Sequence, residues 1–312
     1  MKSVRNASVT QKSLALRDGL CYNGVVRRRT MDEVIEKAYA KINWYLAVGG
    51  RRPDGYHDIL SLMQTVSLAD TLTVRRDEEP GIRLLSHGDV PVPTGKTNLV
   101  WLAAERYFAH AGMTPAVTIE LQKQIPAGAG LAGGSADAAA VLRGINRIFG
   151  SPLSRKTLRE IAAGIGSDVP FCLDGGIALA QGRGECLTTV APTPKRHLVL
   201  VSAGEYVSTA QAYARMDERQ SVDPLGNCEE LLAALHSDVA TVRGDLLRND
   251  FAPLVLPSCP KASDALRHLR ELGGAAQMSG SGSTVYAVFS DERAASTAAA
   301  QVAGKVFCVT TL

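Results

Sequence analysis

Between positions 125 and 140 the chain reads IPAGAGLAGGSADAAA, and few folds can use such a run. Before it, Val117, Ile119 and Leu121 alternate with polar residues in the manner of a half-buried strand; after it, residues 136–149 carry Ala, Leu and Ile at helical spacing. Strand, glycine-rich turn and helix therefore follow in order. Glycine has no Cβ, so Gly128, Gly130, Gly133 and Gly134 open backbone angles closed to other residues and let a ligand lie directly on main-chain amides. A helix beginning near Ser135 adds its own unpaired N–H groups and about half a positive charge at the same place. Such a nest selects an anion, and a polyphosphate is the expected ligand.

Three cradles compete for this stretch. A P-loop requires G-x-x-x-x-G-K-[ST], but the residue before Ser135 is Gly134, and no lysine is there to reach a terminal phosphate. Gly95-Lys96-Thr97 has the lysine but carries Val90 where the first glycine belongs. The dinucleotide fingerprint G-x-G-x-x-G is matched by Gly128, Gly130 and Gly133. It also needs an acidic residue about 20 positions on to hold the ribose, and residues 138–159 contain no Asp or Glu.

The third cradle is a family resemblance. P-x-G-x-G-L-x-G-G-S-x-D-A, running from Pro126 to Ala138, resembles the phosphate-binding motif of the GHMP kinases. The resemblance implies an α+β fold of two domains, an N-terminal S5-like β/α domain and a C-terminal ferredoxin-like α/β layer. It also implies ATP as co-substrate, Mg²⁺ beside it, and a triphosphate held by Pro126, Ala127, Gly128, Ala129, Gly130, Leu131, Ala132, Gly133, Gly134, Ser135 and Ala136. The Ser135 hydroxyl is the candidate metal ligand; no further ligands are identified.

Further upstream, residues 36–48 place Ala38, Ala40, Ile42, Trp44 and Leu46 on one strand face and Lys37, Tyr39, Lys41, Asn43 and Tyr45 on the other. A turn at 49–55 leads to Tyr56 and His57, then to apolar runs at 59–68 and 71–74. A-K-I-N followed by R-x-D-G-Y-H resembles the branch of the family whose acceptor is an alcohol carried on cytidine diphosphate, in the non-mevalonate isoprenoid route. That implies Lys41 and Asn43 beside the accepting hydroxyl, with Tyr56 and His57 holding the cytosine. An aromatic face can stack a base and an imidazole can bond its edge. Thr97 or Asn98 caps a helix ending at Ala111-Gly112, whose Trp101 reads as core.

Past the loop helix, Ser154 caps another helix that ends at Gly164, and G-S-D-V-P-F follows at 166–171. Pro170 disfavours helical angles at Val169 and is expected to hold it extended, leaving Asp168 at a helix-to-loop junction. By the resemblance this segment carries the catalytic aspartate. The chemistry suits it: a carboxylate taking the proton of a poorly nucleophilic alcohol is worth roughly 10²–10⁴ in rate, and a nearby ammonium, here Lys41, stabilises the developing alkoxide. For a loose transition state Asp168 acts chiefly by orienting the alcohol.

In the second half, residues 175–180 and 197–201 read as strands, with Pro192-Thr193-Pro194 marking a domain boundary near 190. Residues 207–213, V-S-T-A-Q-A-Y, resemble the family segment giving a second aromatic to the base, so Thr209 and Tyr213 join the substrate site, Tyr213 opposite Tyr56. Helices are expected over 227–236 and 238–247, then Asn249-Asp250-Phe251 before a loop with three prolines. M-S-G-S-G-S-T at 278–284, leading into a strand, resembles the third family motif, which packs beside the phosphate loop. A helix over 291–303 and a strand over 305–310 complete a β-α-β ending.

With 46% hydrophobic and 21% charged residues in 312, the composition is that of a water-soluble globular enzyme, and no apolar run of about 18 residues calls for a membrane span. Cysteines at 21, 172, 186, 228, 259 and 308 form no C-x-x-C pair, the pattern of reduced thiols in a cytoplasmic protein. Residues 1–30 carry Lys2, Arg5, Lys12, Arg17, Arg27, Arg28 and Arg29 against Asp18 alone, a basic leader without the apolar core of a secretion signal. It is expected to be disordered, with Met31 as the natural start, residues 31–190 as an ATP-binding domain and 191–312 completing the substrate cleft. The reading is a small-molecule kinase acting on a cytidine-diphosphate alcohol, a monomer or weak homodimer, with no nucleic-acid or membrane partner. Its rivals are a homoserine or mevalonate kinase, a ligand-binding protein without catalysis on the same scaffold, and a nicotinamide dehydrogenase.

Overall fold

The computed structural model describes residues 32–88, 90–219, 221–237 and 242–312. The basic leader and the expected start at Met31 lie outside them. Strand β1 (Glu33–Arg51) turns at 53–55 into β2 (His57–Arg76), and the two pair antiparallel along most of their length. The apolar runs at 59–68 and 71–74 belong to this one 20-residue strand. Asp70 does not break it, because its buried carboxylate has donors of its own, described below. β3 (Gly81–His87), not expected from the sequence, runs parallel to β4 (Ala116–Gln122).

Helix α1 (Leu99–Ala111) is capped by Asn98, whose side chain accepts from the Val100 N–H, and stops at Gly112 in the left-handed region. α2 (Gly133–Ile148) begins two residues before Ser135. Its alanines let it lie close on β1 and β2, and at Gly144 a Cβ would come within 2.9 Å of Val74. α3 (Arg155–Ile165) is capped by Ser154 as expected. Val169 is not extended: α4 (Val169–Asp174) begins there, and Pro170 sits in the first turn, where a missing N–H and a fixed φ cost nothing. β5 (Ile177–Gln181) and β6 (Cys186–Thr189) form a hairpin alongside β2.

After 190 the chain enters a second sheet. β7 (His197–Ser202) is followed by α5 (Thr209–Asp217) and α6 (Glu229–His236). The helix expected over 238–247 falls partly outside the described residues, and its described remainder is a single 3-10 turn at Gly244–Leu246. β8 (Arg248–Asn249) returns to the first sheet, parallel to β1. Short α7 (Ala252–Val255) and then α8 (Pro260–Glu271) absorb the prolines expected in a loop; Pro253 and Pro260 sit in first turns. β9 (Ala275–Met278), β10 (Val285–Phe289), α9 (Glu292–Ala299) and β11 (Lys305–Thr310) follow.

Among the described residues the first sheet orders β3-β4-β2-β1-β8 with β5 and β6 off β2, and the second orders β11-β7-β10-β9. In chain order the second is 4-1-3-2 and wholly antiparallel, the ferredoxin-like arrangement expected. One core joins α1 and α2 to the first sheet; another joins β1 residues such as Ala40, Ile42 and Trp44 to Leu198, Leu200 and Tyr286 of the second. On the other face of β1, Lys37 and Tyr39 are exposed while Lys41, Asn43 and Tyr45, read as polar positions, are buried: the glycine-rich loop and the turn at 278–280 meet Lys41 and Asn43, and the Leu225 carbonyl and Arg248 meet the Tyr45 hydroxyl. No described helix is long and apolar enough to cross a membrane.

Candidate active site

The junction of β4 and α2 is built from a buried charge cluster. Lys123 donates to Asp70 and, at 2.8 Å, to Asp137, while the other Asp70 oxygen accepts the N–H groups of Gln124 and Ile125. The loop thus enters on a fixed line. Burial pushes the Asp137 carboxyl well above the usual carboxylate range, the Lys123 ammonium opposing the rise and the Asp70 charge adding to it.

Gly128 and Gly130 take positive φ angles of 61° and 76°, and Ala132 follows at 55°, the residue immediately before α2. No side chain caps this helix, so its first-turn amides at Gly133, Gly134 and Ser135 have no capping oxygen. All three residues line a cleft of about 470 Å³. That uncapped terminus is the feature an anion would complete. Ala132 holds a left-handed conformation that suits glycine, so Ala132→Gly is expected to stabilise the fold by up to about 1 kcal/mol, read as an upward shift in calorimetric Tm.

Against the loop, the Lys41 ammonium donates to Asn43 Oδ1 at 2.7 Å and to the Gly130 carbonyl at 3.2 Å, and stands 3.9 Å from Asp168 Oδ2. Lys41 is buried, whereas the Asp168 side chain is 38% exposed and open to the cleft. Asn43 is held on every side: Nδ2 donates to Ser61, and Oδ1 accepts the Gly280 N–H as well as Lys41. The third motif therefore closes onto the glycine-rich loop. Ser279 Oγ donates to the Gly130 carbonyl, and the Thr284 N–H donates to the Ala129 carbonyl.

Of the residues expected at the site, Lys41, Asn43, Asp168, Thr209, Tyr213, Gly128, Ala129, Gly130 and Ala132 to Ser135 share this cleft. Leu131 and Ala136 turn their side chains into the core, and Pro126 and Ala127 are not among its walls. Thr209 meets Ser281 at 3.0 Å. Tyr213 packs at 5.2 Å against the His57 ring and edge-on against Phe251, and burial pushes its phenol up to about 12, so it is a neutral aromatic wall. His57 is buried behind it, Nδ1 donating to the Gly49 carbonyl and Nε2 3.2 Å from Asp217. The structure thus sets Tyr213 against His57, while the half-exposed Tyr56 ring lies under the Arg183 guanidinium at 4.6 Å.

Arg183 is the residue that sequence reasoning missed. It sits between Gly182 and Gly184 in the tight turn of the β5–β6 hairpin and lines the cleft. A basic residue flanked by two glycines was the available signal. The dinucleotide reading fails on topology, since β4 lies between antiparallel β2 and a parallel β3 in a mixed sheet, not in a doubly wound parallel one.

Two family models match the chain, GHMP kinases N terminal domain over residues 98–176 and GHMP kinases C terminal over 230–307. The chain belongs to the GHMP kinase family. It is 40% identical over 274 residues, 86% of each chain, to the 4-diphosphocytidyl-2-C-methyl-D-erythritol kinase of Mycobacterium tuberculosis. The protein of that name from Geobacter sp. is 40% identical over 266 residues, 85% of this chain and 92% of the relative. Among solved structures, a 4-(cytidine 5′-diphospho)-2C-methyl-D-erythritol kinase superposes with a TM-score of 0.76 at 33% identity, covering 89% of this chain and 99% of that one. Homoserine kinase from Cytophaga hutchinsonii, at 20% identity and a TM-score of 0.73, shares the fold, covering 93% of this chain and 97% of that one.

Proposed function

We propose that the protein transfers the γ-phosphoryl group of ATP to the 2-hydroxyl of 4-(cytidine 5′-diphospho)-2-C-methyl-D-erythritol. One observation carries the reading. A carboxylate and an ammonium, Asp168 and Lys41, face the same cleft as the uncapped N-terminus of α2. In this account the triphosphate lies along the amides of 128–135. The acceptor oxygen attacks the γ-phosphorus as the bond to the β,γ-bridging oxygen breaks and ADP leaves. The hydroxyl proton passes to Asp168, and Lys41 stabilises the oxygen as it loses that proton.

Mg²⁺ fits this site as an ion carried on the nucleotide. No described cluster of three His, Cys, Asp or Glu could cage a metal, but Mg²⁺ on a nucleotide needs few protein ligands beyond phosphates and waters. The Ser135 hydroxyl on the cleft wall would serve as one. When bound, the ion neutralises phosphate charge. Tyr213, backed by His57, together with Tyr56, would hold the cytosine, and Arg183 beside Tyr56 supplies a cation for the diphosphate of the acceptor. Residues 31–190 are taken as the ATP-binding half and 191–312 as the half completing the cleft. The reaction is one between small molecules and needs neither nucleic acid nor membrane. ADP release measured with the cytidine-diphosphate alcohol, homoserine and mevalonate as separate acceptors tests the choice. Turnover is expected with the first alone, and turnover with homoserine or mevalonate instead would reassign the substrate within the family.

A further inference from the structure

Asn249, only 5% exposed, belongs to the two-residue strand β8, which bonds parallel to β1 at Leu46. Its neighbour Asp250 ties the same segment to β1 by accepting the Val48 N–H at 2.9 Å, and Arg248 braces that carboxylate. Asn249 is therefore presented from a rigid support. Both hydrogens of its carboxamide are used: Nδ2 donates to the Met278 carbonyl at 2.7 Å and to the Gly280 carbonyl at 2.9 Å. Its oxygen accepts the Phe251 N–H at 3.0 Å. Two carbonyls on one side and an N–H on the other fix which way the amide faces.

The turn that Asn249 grips is the one that holds the catalytic ammonium. The Gly280 N–H donates to Asn43 Oδ1, the same oxygen that accepts from Lys41. Ser279 Oγ and Lys41 share the Gly130 carbonyl. There is no slack at this contact, because a Cβ on Gly280 would lie 2.7 Å from the Gly130 oxygen and 3.2 Å from Lys41 Nζ. A shift of the turn is thus passed on to Lys41.

We infer that Asn249 is a positioning residue for phosphoryl transfer: by clamping the two carbonyls of the turn at 278–280 it fixes Asn43 and, through Asn43, the aim of Lys41 at Asp168. Asn249 is not among the residues lining the cleft, so it acts only through those partners. This rests on the phosphoryl-transfer reading given above.

A double-mutant cycle tests it. Asn249→Ala is expected to lower kcat roughly tenfold to hundredfold with little change in the acceptor KM, the scale on which a displaced catalytic group is felt. In a Lys41→Met background the same substitution should cost less than about twofold, because the group it positions is gone. An equal factor in both backgrounds would overturn the inference. Asn249→Ser keeps one donor hydroxyl and serves the same cycle should the alanine variant not fold. A crystal structure of either variant needs no turnover: Lys41 Nζ is expected to leave Asn43 Oδ1, and an unmoved Lys41 would overturn the proposal. If the wild-type protein phosphorylates none of the acceptors, the functional reading is what fails, and that crystal structure still decides whether Asn249 places Lys41.

Discussion

Asp168→Asn is expected to lower kcat by roughly 10²- to 10⁴-fold, the share a positioned proton acceptor contributes, while affinity for an ATP analogue stays close to that of the wild type. The asymmetry follows from the geometry. Asp168 precedes α4, its side chain makes no capping bond, and it lines the cleft without belonging to the loop whose amides are offered to the phosphates. Asparagine keeps the shape and the backbone but accepts no proton. Little stability is at stake, because the side chain is more than a third exposed. If Asp168 chiefly orients the alcohol towards a loose transition state, the loss falls at the lower end of that range. Coupled measurement of ADP release beside titration calorimetry reads both quantities. An unchanged kcat would take Asp168 out of the reaction and favour a ligand-binding protein on the kinase scaffold.

Gly130→Ala is expected to be as damaging by another route, with a stability loss of about 2–5 kcal/mol and loss of measurable ATP binding. A Cβ at this position would stand 2.1 Å from the Ser279 carbonyl oxygen and 3.1 Å from the Gly282 nitrogen, and φ is +76°. Neither obstacle is a side chain that can swing aside. The substitution would also prise apart the junction in which the Gly130 carbonyl accepts from Lys41 and Ser279. Gly134→Ala is the control, since its Cβ would meet only the Leu99 side chain at 3.6 Å and its φ lies outside the left-handed region. Because Gly134 itself lines the cleft, the control bears on stability alone: denaturant unfolding should separate the two variants, and equal losses of stability would contradict the packing described.

Those two positions mark what could be read from sequence. Gly130 announced itself because a dense run of glycines between a strand and a helix has few uses, and the caps at Asn98 and Ser154 were legible because capping is local chemistry. Val169 was misread because the restriction before proline competes with the ease of proline in a first helical turn, and α4 is only six residues long. The burial of Lys41 and Asn43 was not visible in the β1 alternation. Their face is covered by the glycine-rich loop, 89 residues on at Gly130, and by the third motif, 237 residues on at Gly280. Tyr213 lines the cleft, but its neighbour there is His57 rather than Tyr56, a matter of how α5 packs on the β1–β2 turn. The contribution of Asn249 was beyond local reading altogether, since it depends on carbonyls some 30 residues downstream.

The central claim is spatial: the nucleotide's phosphates rest on main chain at 128–135, and the acceptor hydroxyl meets the outermost phosphorus between Asp168 and Lys41. The most direct measurement is a crystal structure of the protein with a non-hydrolysable ATP analogue and the cytidine-diphosphate alcohol bound together. The account predicts the triphosphate against the N-terminus of α2, with the 2-hydroxyl in hydrogen-bond reach of the Asp168 carboxylate. A triphosphate seated elsewhere, or an acceptor whose hydroxyls all point away from Asp168 and Lys41, would contradict it.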